Sequence, residues 1–100
     1  MRSAPDIWEK IRRQGRRVYG PDFTVYGMKL TSAPTPRIVV PLKVDKRSTV
    51  RNKIKRQLRE ILRKTDVRDL GLVVIVKPSV VGTPFKSLNQ DLNKILKTLS

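Results

Sequence analysis

Between Arg51 and Glu60 the chain reads Arg-Asn-Lys-Ile-Lys-Arg-Gln-Leu-Arg-Glu, five cations and one acid. Guanidinium and ammonium groups at this spacing bind anions, and phosphates in particular. If a helix begins near Val50, then Val50, Ile54, Leu58, Ile61 and Leu62 recur at the spacing of one buried face. Asn52, Lys55, Arg56, Arg59 and Arg63 then project from the other side, with Arg51 at the border. Arg51 and Lys53 fall near the helix start and Glu60 towards its end, the less favourable ends for their charges, so helix stability does not account for the arrangement. Lys43, Lys46 and Arg47 extend the run ahead of the helix.

A second group lies near the N-terminus. Arg12, Arg13, Arg16 and Arg17 flank Gly15, and Trp8, Tyr19, Phe23 and Tyr26 interleave with them. Charge for phosphates beside aromatic surface for bases is the combination that holds single-stranded nucleic acid. Trp8 and Phe23 read equally well as core residues, whereas Tyr26 is expected to be half exposed.

Other chemistry is missing. The chain has no Cys and no His, which removes disulfides, thiolate metal sites and the commonest general base. Its 8 acids form no close sequence cluster of the kind used for magnesium or for paired-carboxylate catalysis. No glycine-rich phosphate loop is present. No metal or cofactor is therefore expected on the polypeptide, and catalysis by the protein alone is not expected.

With 23 Lys plus Arg against 8 Asp plus Glu, the formal charge of +15 over 100 residues is most simply offset by a polyanion. A hydrophobic content of 38% supplies one compact core, so residues 1–100 are expected to form a single domain. Neither a membrane-spanning run nor a signal-peptide core is visible, and a cytoplasmic location is expected.

The elements that must position these groups follow from pattern. Pro5 to Arg17 reads as a short helix with Ile7, Trp8 and Ile11 on one side and Gly15 as its stop. Phe23 to Leu30 and Arg37 to Val44 read as two strands of a hairpin around a Thr31 to Pro36 turn, with Pro41 implying an edge or a bulge. Ser48 is the expected N-cap of the basic helix. After a polar connector from Thr65 to Asp69, Leu70 to Val76 is a continuous apolar strand suited to the middle of a sheet, closed by Pro78. Thr83 and Pro84 are expected as N-cap and first residue of a last helix whose core stripe is Phe85, Leu88, Leu92, Ile95, Leu96 and Leu99. The fold class is α+β: a single-domain sandwich of α-β-β-α-β-α order, a further short strand being allowed, with a small mixed sheet covered by helices.

These residues resemble the protein component of bacterial ribonuclease P. That family carries an Arg-Asn-Arg run leading into Ile-Lys-Arg and then Arg-Glu, preceded by a Ser-Lys-Lys strand end, and Val40 to Glu60 matches most of it. Trp8, Ile11, Gly15, Val18, Phe23 and Tyr26 fit the spacing of its N-terminal helix and first strand, and the Val73 to Pro78 strand end and the last helix also fit. The resemblance implies a left-handed β-α-β crossover around the basic helix, against the usual hand. It also implies a division of labour in which the RNA subunit, using Mg2+, cuts the 5′ leader from precursor tRNA. By the same resemblance, Arg51, Asn52, Lys53, Lys55, Arg56 and Arg59, with Lys43, Lys46 and Arg47, face the ribonuclease P RNA. Trp8, Arg12 and Tyr26 fall in the cleft for the leader. Neither a membrane nor a protein partner is required. The chain departs from the family pattern at Lys53, which lacks the planar fork of Arg; at Arg12, where a second cleft aromatic is usual; and at Pro41-Leu42, in place of Ser-Lys.

A structural RNA-binding protein, such as a small ribosomal protein, fits the charge and size equally well. Membrane-surface binding through the basic helix fits less well, because Ile54, Leu58 and Ile61 are needed for the core.

Overall fold

The computed structural model describes residues 7–31, 33, 35–65 and 69–99. Its elements are α1 (Ile7–Gln14), β1 (Arg16–Tyr19), β2 (Phe23–Lys29), β3 (Arg37–Val39), α2 (Ser48–Lys64), β4 (Leu70–Val76), a 3-10 turn (Pro78–Val80) and α3 (Phe85–Leu99). The expected helix start at Pro5 and parts of the two connectors, Thr31 to Pro36 and Thr65 to Asp69, lie outside the described residues.

The further short strand is β1, whose first two residues, Arg16 and Arg17, are expected from sequence to end the first helix. Helix α1 stops because Gly15 comes against backbone: a Cβ there would lie 2.5 Å from the Ile11 carbonyl oxygen and 2.7 Å from that of Gly27. Only glycine fits at that approach. Arg16–Tyr19 then pairs antiparallel with β2, Arg17 opposite Tyr26 and Tyr19 opposite Thr24. The hairpin is thus β1–β2, and the expected β2–β3 hairpin does not form.

The sheet order is β1-β2-β4-β3, with β3 parallel to β4 and every other pair antiparallel. The apolar run of β4 occupies an interior position, as its composition requires. The edge strand β3 ends at Val39 rather than Val44, since the chain turns where Pro41 accepts a hydrogen bond from the Val44 amide (3.0 Å). Helix α2 carries the chain from β3 to its parallel neighbour β4, the crossover unit that the resemblance implies.

The two faces of the sheet have different fates. Phe23 and Val25 of β2, Ile38 of β3 and Leu70, Leu72, Val74 and Val76 of β4 share the main core with Ile54, Leu58, Ile61 and Leu62 of α2 and Leu88, Leu92, Ile95, Leu96 and Leu99 of α3. Phe85, expected in that stripe, is 40% exposed, because α3 begins there. The Pro84 carbonyl accepts the Leu88 amide (3.1 Å), so Pro84 is the cap residue and not the first helical one. The Thr83 hydroxyl donates to the Ser79 carbonyl instead of capping the helix. On the opposite face, α1 covers one end of the sheet, where fully buried Ile11 lies over Gly71, at which a Cβ would approach its Cδ1 to 2.8 Å.

The entry to α2 also differs from expectation. Arg47, in extended conformation, is the cap residue and makes no side-chain capping bond, while Ser48 is already helical. Asp45 supplies the organisation instead. Its carboxylate accepts the Arg47 amide (2.8 Å) and both ends of the Arg47 guanidinium (3.1 and 3.0 Å). The Arg51 guanidinium reaches back to donate to the Asp45 and Lys46 carbonyls (3.1 and 3.0 Å).

The side-chain bond from Arg47, followed by its amide, lowers the Asp45 pKa from 3.8 to about 2. A carboxylate whose pKa is lowered by folding contributes stability that is complete above its ordinary pKa and lost as pH falls through the folded value. The urea midpoint of the native protein should therefore fall between about pH 4 and pH 2, and that of Asp45→Asn should fall less over the same window. Parallel pH profiles for the two proteins would remove Asp45 from the account of this loop.

Candidate nucleic-acid interface

On the open face of the sheet, cross-strand register aligns side chains in rows. Arg17, Tyr26, Val73 and Arg37 form one row, and Tyr19, Thr24, Ile75 and Val39 the next. Helix α1 stands beside these rows and contributes Trp8, Glu9, Arg12 and Arg13 to the wall of a cleft of about 690 Å3. Arg17, Tyr26, Arg37, Val39, Val73 and Ile75 complete it. Trp8, Arg12 and Tyr26, named from sequence, are thus brought into one cavity by two elements.

Guanidinium groups sit over the rings of this cleft. Arg12 lies 5.8 Å from the Tyr26 ring centroid and Arg37 lies 5.9 Å from that of Trp8. Arg12, at the position where a second cleft aromatic was expected, therefore covers the first one. The pair offers a flat stacking surface and a phosphate-binding fork side by side. Tyr26, as the hydrogen-bond partner of Arg17, and next the Tyr19 ring raise the Arg17 pKa above its ordinary value, so this guanidinium is charged at any working pH.

Arg17 and Arg37 were not anticipated as cleft residues. Arg17 shows only as the alternate position of a strand that had been read as helix, and Arg37 enters because β3 lies parallel to β4 with Arg37 opposite Val73. The apolar floor of Val39, Val73 and Ile75 was hidden by the same topology.

The remaining N-terminal cations have local work. Arg13 pairs with Glu9 at 2.7 Å within the α1 wall of the cleft. Arg16 donates to the Thr98 carbonyl (3.1 Å) near the end of α3, where a cation offsets the helix dipole. Phe23 is fully buried, so of its two readings the core one holds.

The basic helix occupies a different region. Ile54, Leu58 and Ile61 are 7%, 0% and 2% exposed, which leaves no apolar face of α2 for a bilayer. Asn52, Lys53, Arg56 and Arg59 are exposed, as are Lys43 and Lys46 in the preceding loop, while Lys55 is half-buried at the flank. Glu60 is engaged by Arg63 at 2.7 Å and Lys64 at 4.0 Å, one turn further on. Lys53, Lys55, Arg56 and Arg59 therefore have no acidic partner among the described residues. Arg47 and Arg51, expected with them, are partly committed to holding the helix entry. Leu42, exposed at 66% beside Lys43, marks where the strand end lacks the family's lysine.

The chain thus presents an aromatic and cationic cleft on one face of the sheet and an unneutralised basic helix packed against the other. The family model described as Ribonuclease P matches residues 3–100. A ribonuclease P protein component from Thermus oshimai is 41% identical over 87 residues, covering 85% of this chain and 55% of that protein. One from Cyanothece sp. is 42% identical over 72 residues, covering 67% of this chain and 55% of its own length. The chain spans about half the length of these curated relatives. Among solved structures, the RNase P protein from Thermotoga maritima has the same fold, with a TM-score of 0.82 at 24% identity over 99% of both chains. The chain belongs to the ribonuclease P protein family.

Proposed function

We propose that this chain is the protein subunit of the ribonuclease P ribonucleoprotein, an endoribonuclease that removes the 5′ leader of precursor tRNA in the cytoplasm. The observation that carries the reading is the separation of an aromatic, cationic cleft and an exposed basic helix on opposite faces of one sheet. The exposed cations of α2 dock on ribonuclease P RNA, and the cleft between α1 and the sheet holds the single-stranded leader. No further protein partner is required.

In this reading Trp8 and Tyr26 present ring faces to leader bases, and Arg12, Arg17 and Arg37 hold the phosphates between them. A leader fixed at one end by the protein, while the tRNA body is held by the RNA, delivers the intervening phosphodiester to the RNA active site with little remaining orientational freedom. Magnesium bound by that RNA would supply the Lewis-acid chemistry of the hydrolysis, and this chain's residues only orient the leader. Among the described residues no group of three or more Asp, Glu, His or Cys could hold a metal ion. No helix of the described residues is long and apolar enough to cross a membrane. A purely structural ribosomal role gains no support from the family match.

Counterion release makes the helix contact measurable. If about six phosphates are neutralised, log affinity for ribonuclease P RNA falls against log salt with a slope of about −5. Arg56→Ala and Arg59→Ala should each weaken binding and reduce the slope by about one. An unchanged slope in both would remove α2 from the interface.

Tyr26→Ala in the reconstituted holoenzyme should cost on the order of 1–3 kcal/mol in affinity for precursor tRNA, with mature tRNA bound as before. An equal loss for both RNAs would refute leader binding in the cleft.

A further inference from the structure

We infer that Tyr19, with Arg17 and Lys77, forms a second single-strand RNA contact outside the cleft, extending the path of the leader across β1. The inference rests on the proposed function. Tyr19 does not line the cleft, yet it lies on the same sheet face, in the row next to that of Arg17 and Tyr26. Its ring is 63% exposed, an unusual cost for an aromatic with no partner in the core.

Two cations gather at this ring. The Arg17 guanidinium lies 5.0 Å from its centroid and the Lys77 ammonium 5.7 Å. Neither has a carboxylate partner among the described residues. Positive charge collected around an exposed ring, rather than around an acid, is complementary to a strand that carries both bases and phosphates.

The platform is also braced. Lys77 donates its ammonium to the Gly20 carbonyl (2.9 Å) and its amide to the Asp22 carbonyl (2.9 Å). Ser79 donates to the buried Asp22 carboxylate (2.8 Å) and shares the Pro21 carbonyl (2.9 Å). The turn that presents Tyr19 is thereby tied to the end of β4, so the ring and its cations are positioned before any ligand arrives.

Continuity with the cleft identifies the occupant. Diagonal neighbours on one sheet face lie about 7–8 Å apart, a separation that successive nucleotides of an unstacked strand can bridge. Arg17, directly opposite Tyr26 in the β1–β2 register and lying over the Tyr19 ring, adjoins both positions and would hold the phosphate between two bases.

The test is binding of the reconstituted holoenzyme to precursor tRNAs whose leader grows by one nucleotide at a time. For native protein, affinity should rise again when the leader passes the cleft and reaches Tyr19. Tyr19→Ala should abolish that second rise, about a five- to tenfold loss for long leaders, with short leaders unaffected; Tyr19→Phe, which keeps the ring, should retain it. The inference is overturned if Tyr19→Ala matches native protein at every length while Tyr26→Ala loses leader affinity, a result that leaves the cleft reading standing. It is equally overturned if Tyr19→Ala weakens binding at all lengths, or if Tyr26→Ala is also silent, in which case the cleft reading falls with it.

Discussion

The seating of Ile11 on Gly71 is the contact on which the cleft between α1 and the sheet depends. Ile11 is fully buried, yet it stands outside the main core, on the face of the sheet that otherwise remains open. Glycine at position 71 removes the side chain that would lift the helix, and Gly15 lets the end of the helix meet Gly27. Ile11 is the buried residue of the short helix α1, and eight residues alone would not hold helical structure in water. Its packing places Trp8 and Arg12 in the wall of the cleft, with Arg12 over the Tyr26 ring. A fold with α1 elsewhere would keep every cation and aromatic and lose the cavity.

Charge distribution follows from the same economy of acids. Asp45, Glu9 and Glu60 each take a neighbouring arginine and so quiet three places: the entry to α2, part of the α1 wall of the cleft and the last turns of α2. Among the cations left over are those on the middle of α2 and those around the open sheet face. Surface ion pairs of this kind add little to stability, so their consequence lies in where positive charge is left unpaired. The two surfaces are separated by the sheet, the arrangement that the proposed function uses to hold two RNA segments at once.

The apolar spacing of α2, the interior character of Leu70 to Val76 and the stop at Gly15 were legible in sequence because each is a local pattern with one physical reading. The strand Arg16 to Tyr19 was not, since two arginines after a basic helical stretch continue a helical reading, and what ends it is a backbone approach to Gly27, distant in sequence. Mistaking that strand led to the wrong hairpin. It also hid Arg17, whose cleft position depends on alternation along β1. Arg37 was hidden more deeply, because it reaches Trp8 only through the parallel pairing of β3 with β4. The three cleft residues named in advance were reached through family resemblance. Composition alone had left Trp8 divided between core and cleft, and it had not marked Tyr19 as the exposed ring.

The most direct test of a protein that positions substrate for an RNA catalyst is cleavage of a 5′-leader precursor tRNA by ribonuclease P RNA at low magnesium, with and without this chain. The account predicts cleavage at the mature 5′ end that depends on the protein at low magnesium and is absent with protein alone. Failure to stimulate the RNA from its own source, under conditions where the chain is folded, would contradict it.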